Sequence, residues 1–541
     1  MKNLFIIAVI ALTAFNISYS QVTEDWVQRF TSDSIRNEGV NDMCMDAEGN
    51  IYVTGYQRDV PLTSQIQGVT VKYNSQGVQQ WIQNYQSPEN NGAFLRAVHA
   101  DAAGNVYVTG ENAIYSGGSN EALIIKYNSS GTQLWSYRFQ YVMNFYAGGF
   151  DIITDADGNV YVTGEYGNGG NNIFLIKFSS SGNLVNQTFY NSGSEGGRKI
   201  GLDGAGKIIV GGYINDNDSL SFIALKYEQN LDFVWASRWG HNIGNTNTID
   251  MTIDNNSNVI MTGTDGDFVN YSTVKFDPSG SLMWGKQYNS ATGLDICRSV
   301  DHDIFGNIYV TGETGASGFP AQSTMTTIKY DVNGNEIWVN SYDGGTPGVT
   351  GYSGYDIFIG DSANVFVTGN TSSGNIVTAK INTSGVTQWG IIYSGPVNGP
   401  DLSTAVIADI NGNVYTTGTS LGNGTGYDIA LIKYKPATIG IQNISNEIPP
   451  GFNLSQNYPN PFNPSTKIKF DITPDAGGRS SVVSLIIYNS AGKKIQELLN
   501  ESLSPGSYEV EWNAANYPSG VYFYKLNAGS FAGTKKMLLT K

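Results

Sequence analysis

Apolar and polar residues alternate in short runs along most of this chain, and each run ends in Gly, Asn, Asp or Ser. That two-residue period predicts half-buried strands joined by tight turns. Residues 155–166, DADGNVYVTGEY, show the unit: a turn of small polar residues, then a strand of aromatic and β-branched ones. Sustained helical periodicity is missing. Asp155, Asp157 and Asn159 also alternate as oxygen ligands do, so the stretch poses a choice between a structural turn and a calcium loop.

The stretch recurs. Copies begin at Asp46 (DAEGNIYVTGY), Asp101, Asp203, Asp254, Asp303, Gly360 and Asp409. Their closing glycines, Gly55, Gly110, Gly164, Gly212, Gly263, Gly312, Gly369 and Gly418, fall 48–57 residues apart. A period near 50 indicates an array of one supersecondary unit. A second element keeps phase with it, from VTVKYNSQG at Val69 to LIKYKPA at Leu431. A third is a strand built on Trp81, Trp135, Trp235, Trp284, Trp338 or Trp389, with Val185 taking that place in the third unit. An alternating stretch before each turn supplies a fourth.

Four meandering strands per unit make a propeller blade. The last unit lacks its Trp strand, and the N-terminus supplies an unmatched one, DWVQRF at 25–30. The expected fold is therefore all-β: an eight-bladed propeller over 21–435, with its last blade completed by the N-terminal strand and no free sheet edge at the seam. The repeated D-x-x-G-N-[VI]-Y-V-T-G core resembles the SBBP family of propeller repeats over about 25–435. That family is described as seven-bladed, which leaves seven blades as the alternative.

Residues 436–451 read as a linker, and 452–541 as a small Ig-like antiparallel β-sandwich. The motifs NYPNPFNPST at 457–466 and GVYFYKL at 520–526, with the basic, apolar end at 535–541, resemble the type A C-terminal sorting domain of the type IX secretion system. The resemblance implies transport across the outer membrane of a Gram-negative bacterium, with the secretion machinery as partner of 452–541. It also implies removal of the domain, and a cargo either released or held at the surface. Lys2, the apolar run Leu4 to Phe15 and Ser18-Tyr19-Ser20 fit a signal peptide over 1–20. No later apolar run approaches the roughly 20 residues of a membrane span.

The formal charge of −16 disfavours a nucleic-acid partner. Two cysteines, Cys44 and Cys297, cannot make a disulfide framework and are expected to be free. In the turn motif, Ala103 and Phe305 stand where Asp157 does, and neither ligates a metal. The turn is therefore the preferred reading, with Asp155, Asp157 and Asp331 kept as calcium candidates and no other cofactor expected. GLDGAGKI at 201–208 approaches a phosphate loop, but Ile208 replaces the required hydroxyl and the stretch is another copy of the turn. His99, His241 and His302 lack metal-ligand spacing, and no G-x-S-x-G elbow is present.

One position carries an unexpected pattern. Four residues before the motif Asp stand Asp42, Ala97, Asp151, Lys199, Asp250, Ser299, Asp356 and Ala405. One residue earlier stand Arg96, Arg198 and Arg298, in units two, four and six. The expectation is a charged set at the channel mouth: either ion pairs between blades, or a site for a sugar or small anion. Together with long connections after each VTG (56–68, 111–121, 313–324), this points to a non-enzymatic module binding a glycan or a surface protein. The alternatives are a secreted lyase or glycosidase and a purely structural surface protein.

Overall fold

The computed structural model describes residues 22–30, 36–59, 66–87, 92–114, 119–141, 146–167, 171–216, 219–240, 248–265, 270–290, 293–316, 323–344, 351–360, 363–397, 399–436, 442–445, 447–474, 481–490, 492–514, 517–529 and 531–540. The expected signal peptide and His241 lie outside them. The chain divides into two compact units, Glu24–Lys435 and Pro436–Lys541.

In the first unit the described residues form eight four-stranded antiparallel sheets. Sheet 1 runs Arg36–Met45, Ile51–Asp59, Ile66–Tyr73 and Gln79–Tyr85. Sheets 2 to 7 repeat this order within 92–139, 146–190, 194–239, 250–288, 294–342 and 352–393. Sheet 8 takes Asp401–Ala408, Val414–Leu421 and Tyr427–Pro436 from the end of the unit, and its outer strand is Val22–Phe30. First strands of successive sheets pack on one another, and the first strand of sheet 8 packs on that of sheet 1.

The repeated Asp makes the first turn of every sheet but the seventh, where Gly360 stands in its place. Asp46 accepts the backbone N–H of Glu48 and Asn50, the Asn50 amide and the Tyr52 hydroxyl, all at 2.8–3.1 Å. Gly49 sits at φ +78°, where a side chain is strained, so the turn calls for glycine there. Asp155 repeats this bonding with Asp157, Asn159 and Tyr161. Asp203 does so with Ala205 and Lys207, which makes the phosphate-loop look-alike a hairpin turn. Asp331 caps the later turn of sheet 6 through Asn333 and Asn335.

Sheets join by one recurring contact. Trp81 of sheet 1 donates Nε1 to the Ser129 carbonyl of sheet 2 at 3.1 Å, and Lys72 beside it donates to the same oxygen. Trp235, Trp284 and Trp338 bond the next sheet in the same way. From sheet 8 to sheet 1, Lys433 donates to the Ser75 carbonyl while Trp26 packs on Gly77. In sheet 3 the structure corrects the sequence alignment. Lys177 pairs with Asn186 where the other lysines pair with Trp, so Asn186, not Val185, holds the Trp position. Its amide reaches the Asn230 carbonyl at 2.6 Å, one residue beyond the turn carbonyl that the indoles meet elsewhere.

Two further expectations change. The connections at 56–68, 111–121 and 313–324 are shorter than supposed, because strands run on to Asp59, Ile114 and Ala316 and resume at Ile66, Ser119 and Thr324. Residues Gln442–Ser445, read as linker, form an edge strand against Gly506–Asn513. The second unit holds two four-stranded sheets over one core, which includes Ile468, Phe470, Trp512 and Tyr524. Phe462 forms a parallel bridge with Leu539 beside its last strand.

Candidate functional site

Seven of the eight first strands carry a β-bulge at one position. The residue it leaves without a partner is Asn41, Arg96, Phe150, Arg198, Arg298, Tyr355 or Thr404. The bulge also accounts for the closing glycine of each VTG. A Cβ on Gly110 would lie 1.9 Å from the Phe94 carbonyl oxygen opposite, and the same holds at Gly55 and Gly312. Because a bulge re-aims consecutive side chains, the bulged residue and the one after it act together. This is how the sequence builds two adjacent layers, one of Arg and aromatic residues and one of Asp.

The Asp layer links sheets through backbone groups. Asp42 accepts Val98 N–H of sheet 2 at 2.8 Å, Asp151 accepts Ile200 of sheet 4, Asp250 accepts Val300 of sheet 6, and Asp356 accepts Val406 of sheet 8. Every odd sheet thus reaches into the even sheet that follows. Ser299 Oγ lies 2.9 Å from Asp250 and 3.0 Å from Asp356 and joins the two. Lys199 Nζ stands 3.2 Å from Asp250 Oδ1. Its basicity is raised first by Asp250 and, more distantly, by Asp151, Asp42 and Asp356. Burial pushes the Asp42 carboxyl up to about 7 against the pull of Lys199, and Asp356 up to about 6. Asp151 is raised for the same reason.

The arginines do not pair with these aspartates. Arg96 pairs with Glu111, Arg298 with Glu313 at 2.8 Å, and Arg198 with Glu165 of the preceding sheet at 2.9 Å. Each guanidinium also lies over an aromatic ring: Arg96 and Arg198, from the two sheets flanking Phe150, both lie over its ring, at 4.5 and 4.0 Å, and Arg298 lies over Tyr355 at 4.5 Å. The Arg298 Nε has no hydrogen-bond partner among the described residues, and Tyr355 is 37% exposed. Such a layer offers aromatic faces for stacking and fixed polar groups beside them.

The sequence reading missed Glu111, Glu165 and Glu313, although each follows a VTG and its phase with the arginines was open to inspection. It also passed over Asp301, which accepts Ile359 N–H of sheet 7 at 2.8 Å and whose carboxyl burial pushes up to about 7. His99 and His302 contact the hydroxyls of Thr154 and Thr252, and burial lowers both imidazoles. Cys44 and Cys297 are free, and the Cys297 thiol lies buried 3.0 Å from the Thr262 hydroxyl.

Residues 456–540 match the model of the secretion system C-terminal sorting domain, and residues 284–320 that of the beta-propeller repeat. The chain is a type IX secreted or cell-surface protein that carries SBBP propeller sequence. It is 24% identical to an uncharacterized WD repeat-containing protein of Acanthamoeba polyphaga mimivirus over 55% of this chain, and spans 27% of that relative's length. Among solved structures it is similar to a polysaccharide lyase (TM-score 0.38, 10% identity, 73% of this chain and 89% of that one). It is also similar to the acylaminoacyl peptidase of Pyrococcus horikoshii (TM-score 0.38, 8% identity, 72% and 59%). No helix among the described residues is long and apolar enough to cross a membrane.

Proposed function

We propose that the eight sheets close into an eight-bladed propeller, sealed by Val22–Phe30, and that this exported cargo binds a glycan at the mouth of its channel. The recurrence of the Lys-to-turn and Trp-to-turn contact between sheets 8 and 1 supports closure at eight blades. The observation that carries the binding role is the Arg–aromatic layer. Tyr355 is partly exposed beneath Arg298, whose Nε is unpaired, and Glu313 fixes the guanidinium. An aromatic face takes the apolar side of a sugar ring, and neighbouring donors and carboxylates take its hydroxyls. The position calls for no catalytic group.

The test is a glycan-array screen of the full chain beside its Tyr355→Ala variant, with melting curves for both. Glycan binding by the wild type that falls at least tenfold in the variant, at unchanged melting temperature, is the expected result. Absence of glycan binding by the wild type, or equal binding by both, would overturn the reading and move the search to protein partners. A second reading, a secreted lyase or glycosidase, is favoured by Asp42 and Asp356, whose raised carboxyls hold protons close to neutral pH as a general acid must. Product release from a bound glycan, abolished in Asp42→Asn while binding persists, would select the enzyme.

A further inference from the structure

Sheet 5 turns one face to sheet 4, and two glycines mark it. A Cβ on Gly263 would lie 3.0 Å from the Phe222 ring of sheet 4, and one on Gly285 would lie 2.2 Å from the Trp239 indole. Side chains two residues apart on a strand share a face, so Asp265 and Gln287 belong to it. Asn270 and Ser272 join them across the ladder: Asn270 pairs with Asp265, and Ser272 with Gly263 and Gln287. Gln287 donates its amide to one Asp265 oxygen. The other Asp265 oxygen, the Asn270 side-chain oxygen and the Ser272 hydroxyl are buried with no hydrogen-bond partner among the described residues. Asp265 is 6% exposed and Ser272 1%. Buried polar groups are ordinarily paired, so three orphans on one face point to something that meets them.

Two other sheets show what belongs there. The outer-strand position three residues after the Trp, held by Gln287 in sheet 5, is Arg138 in sheet 2 and Arg29 in sheet 8. Arg138 pairs with Glu121 at 3.4 Å. Arg29 meets Asp428 through Nε at 3.1 Å and Nη2 at 2.8 Å. It gives Nη1 to the Ser420 hydroxyl at 2.7 Å and to Tyr393 of the preceding sheet at 3.0 Å. Ser420 and Asp428 are ladder partners, as Asp265 and Asn270 are. Sheet 5 thus keeps the carboxylate, a hydroxyl and an aromatic residue of the preceding sheet, with Trp239 where sheet 7 has Tyr393, but not the arginine. The connection 266–269, GDFV, holds no Lys or Arg either.

We propose that this face of sheet 5 binds a guanidinium group from outside, the arginine side chain of a protein partner. The proposal does not rest on the glycan reading of the channel mouth. A guanidinium has five donors and no acceptor, which matches three unmet oxygens; a sugar hydroxyl would bring an acceptor with every donor. The carboxylate supplies a charge-assisted bond, and the Trp239 indole a face for the cation. Gln287 is exposed and gives up one hydrogen bond to admit the ligand.

The experiment is titration calorimetry of the full chain with N-acetyl-arginine amide, beside the matching citrulline and lysine amides. Wild type, Asp265→Asn and Gln287→Arg are compared, with melting curves for all three. The wild type should bind the arginine probe saturably and the citrulline and lysine probes at least tenfold more weakly. Gln287→Arg should fill the face from its own strand, as sheets 2 and 8 do; it should melt higher than the wild type and lose the probe. Asp265→Asn should also lose it, and if that variant does not fold, Gln287→Arg decides alone. No saturable binding by the wild type would overturn the proposal. So would equal binding of citrulline or lysine, or binding that Gln287→Arg leaves unchanged.

Discussion

The two units of this chain solve one problem in opposite ways. In 436–541 two sheets share a single core, and Trp512, Tyr524, Phe470 and Ile468 all belong to it. Among the described residues of 24–435 there is no such centre. Each core is shared by two neighbours, as where Ala97, Tyr107 and Ile124 of sheet 2 meet Ala147, Ile152 and Phe174 of sheet 3. One more core joins Val40 and Met43 of sheet 1 to Ala405 and Tyr415 of sheet 8. A repeat array gains its stability from nearest-neighbour interfaces, so a local change is felt by two sheets and diluted over many. A single core concentrates the same change. Where the first strands of successive sheets meet, polar bridges such as Asp42 to Val98 N–H accompany the apolar packing.

The sharpest way to break this comparison is Trp512→Ala, which should cost the second unit about 3–5 kcal/mol. A limited-proteolysis and melting experiment should show that unit opening while the transition of 24–435 is unchanged; loss of both transitions together would contradict independent cores. Smaller effects are expected in the array. Trp81→Phe removes one interface bond to Ser129 and should cost about 1 kcal/mol. Trp338→Phe, at a distant interface, should cost about the same, and the two should add in the double variant. A double variant far worse than the sum would mean that the array behaves as one cooperative body.

The smallest effect is a pH trend. Asp42 and Asp301 keep their protons to about pH 7 when folded, whereas an unfolded aspartate releases its own near 4. The folded state then binds more protons than the unfolded state, and stability must fall as pH rises through that window. His99 and His302 act in the opposite direction, but only below their ordinary value near 6.5, because burial lowers both. Denaturant midpoints of 24–435 should therefore decline between pH 6.5 and 8, and Asp42→Asn should flatten the decline. The second unit, whose Glu509 is lowered by Lys467 and Lys469, should show no such fall over the same range.

Much of the array was readable beforehand because its physics is local. The turn Asp bonds groups two and four residues away, so D-x-x-G-N reads as a turn without knowledge of the fold. The Asp and Arg positions were visible as a pattern, but their partners were not. Both Asp and Arg can satisfy a neighbour, and only the register decided that Asp42 meets a backbone N–H while Arg96 meets Glu111. Asn186 misled for a related reason: an amide stands in the indole's place and bonds the neighbouring turn carbonyl, and side-chain likeness pointed to the adjacent Val185.

By itself the sequence determined the all-β character, the period, the turn chemistry and the export tail, since each is written within a few residues or repeated in phase. The tertiary structure decided the rest. It showed that a bulge facing Gly110 and its counterparts aligns two layers of side chains. It joined the linker residues 442–445 to the edge of the second unit. It also set Lys199 3.2 Å from Asp250, 51 residues further along the chain. Those outcomes depend on which sheets become neighbours, and charges far apart in sequence interact only after packing has brought them together.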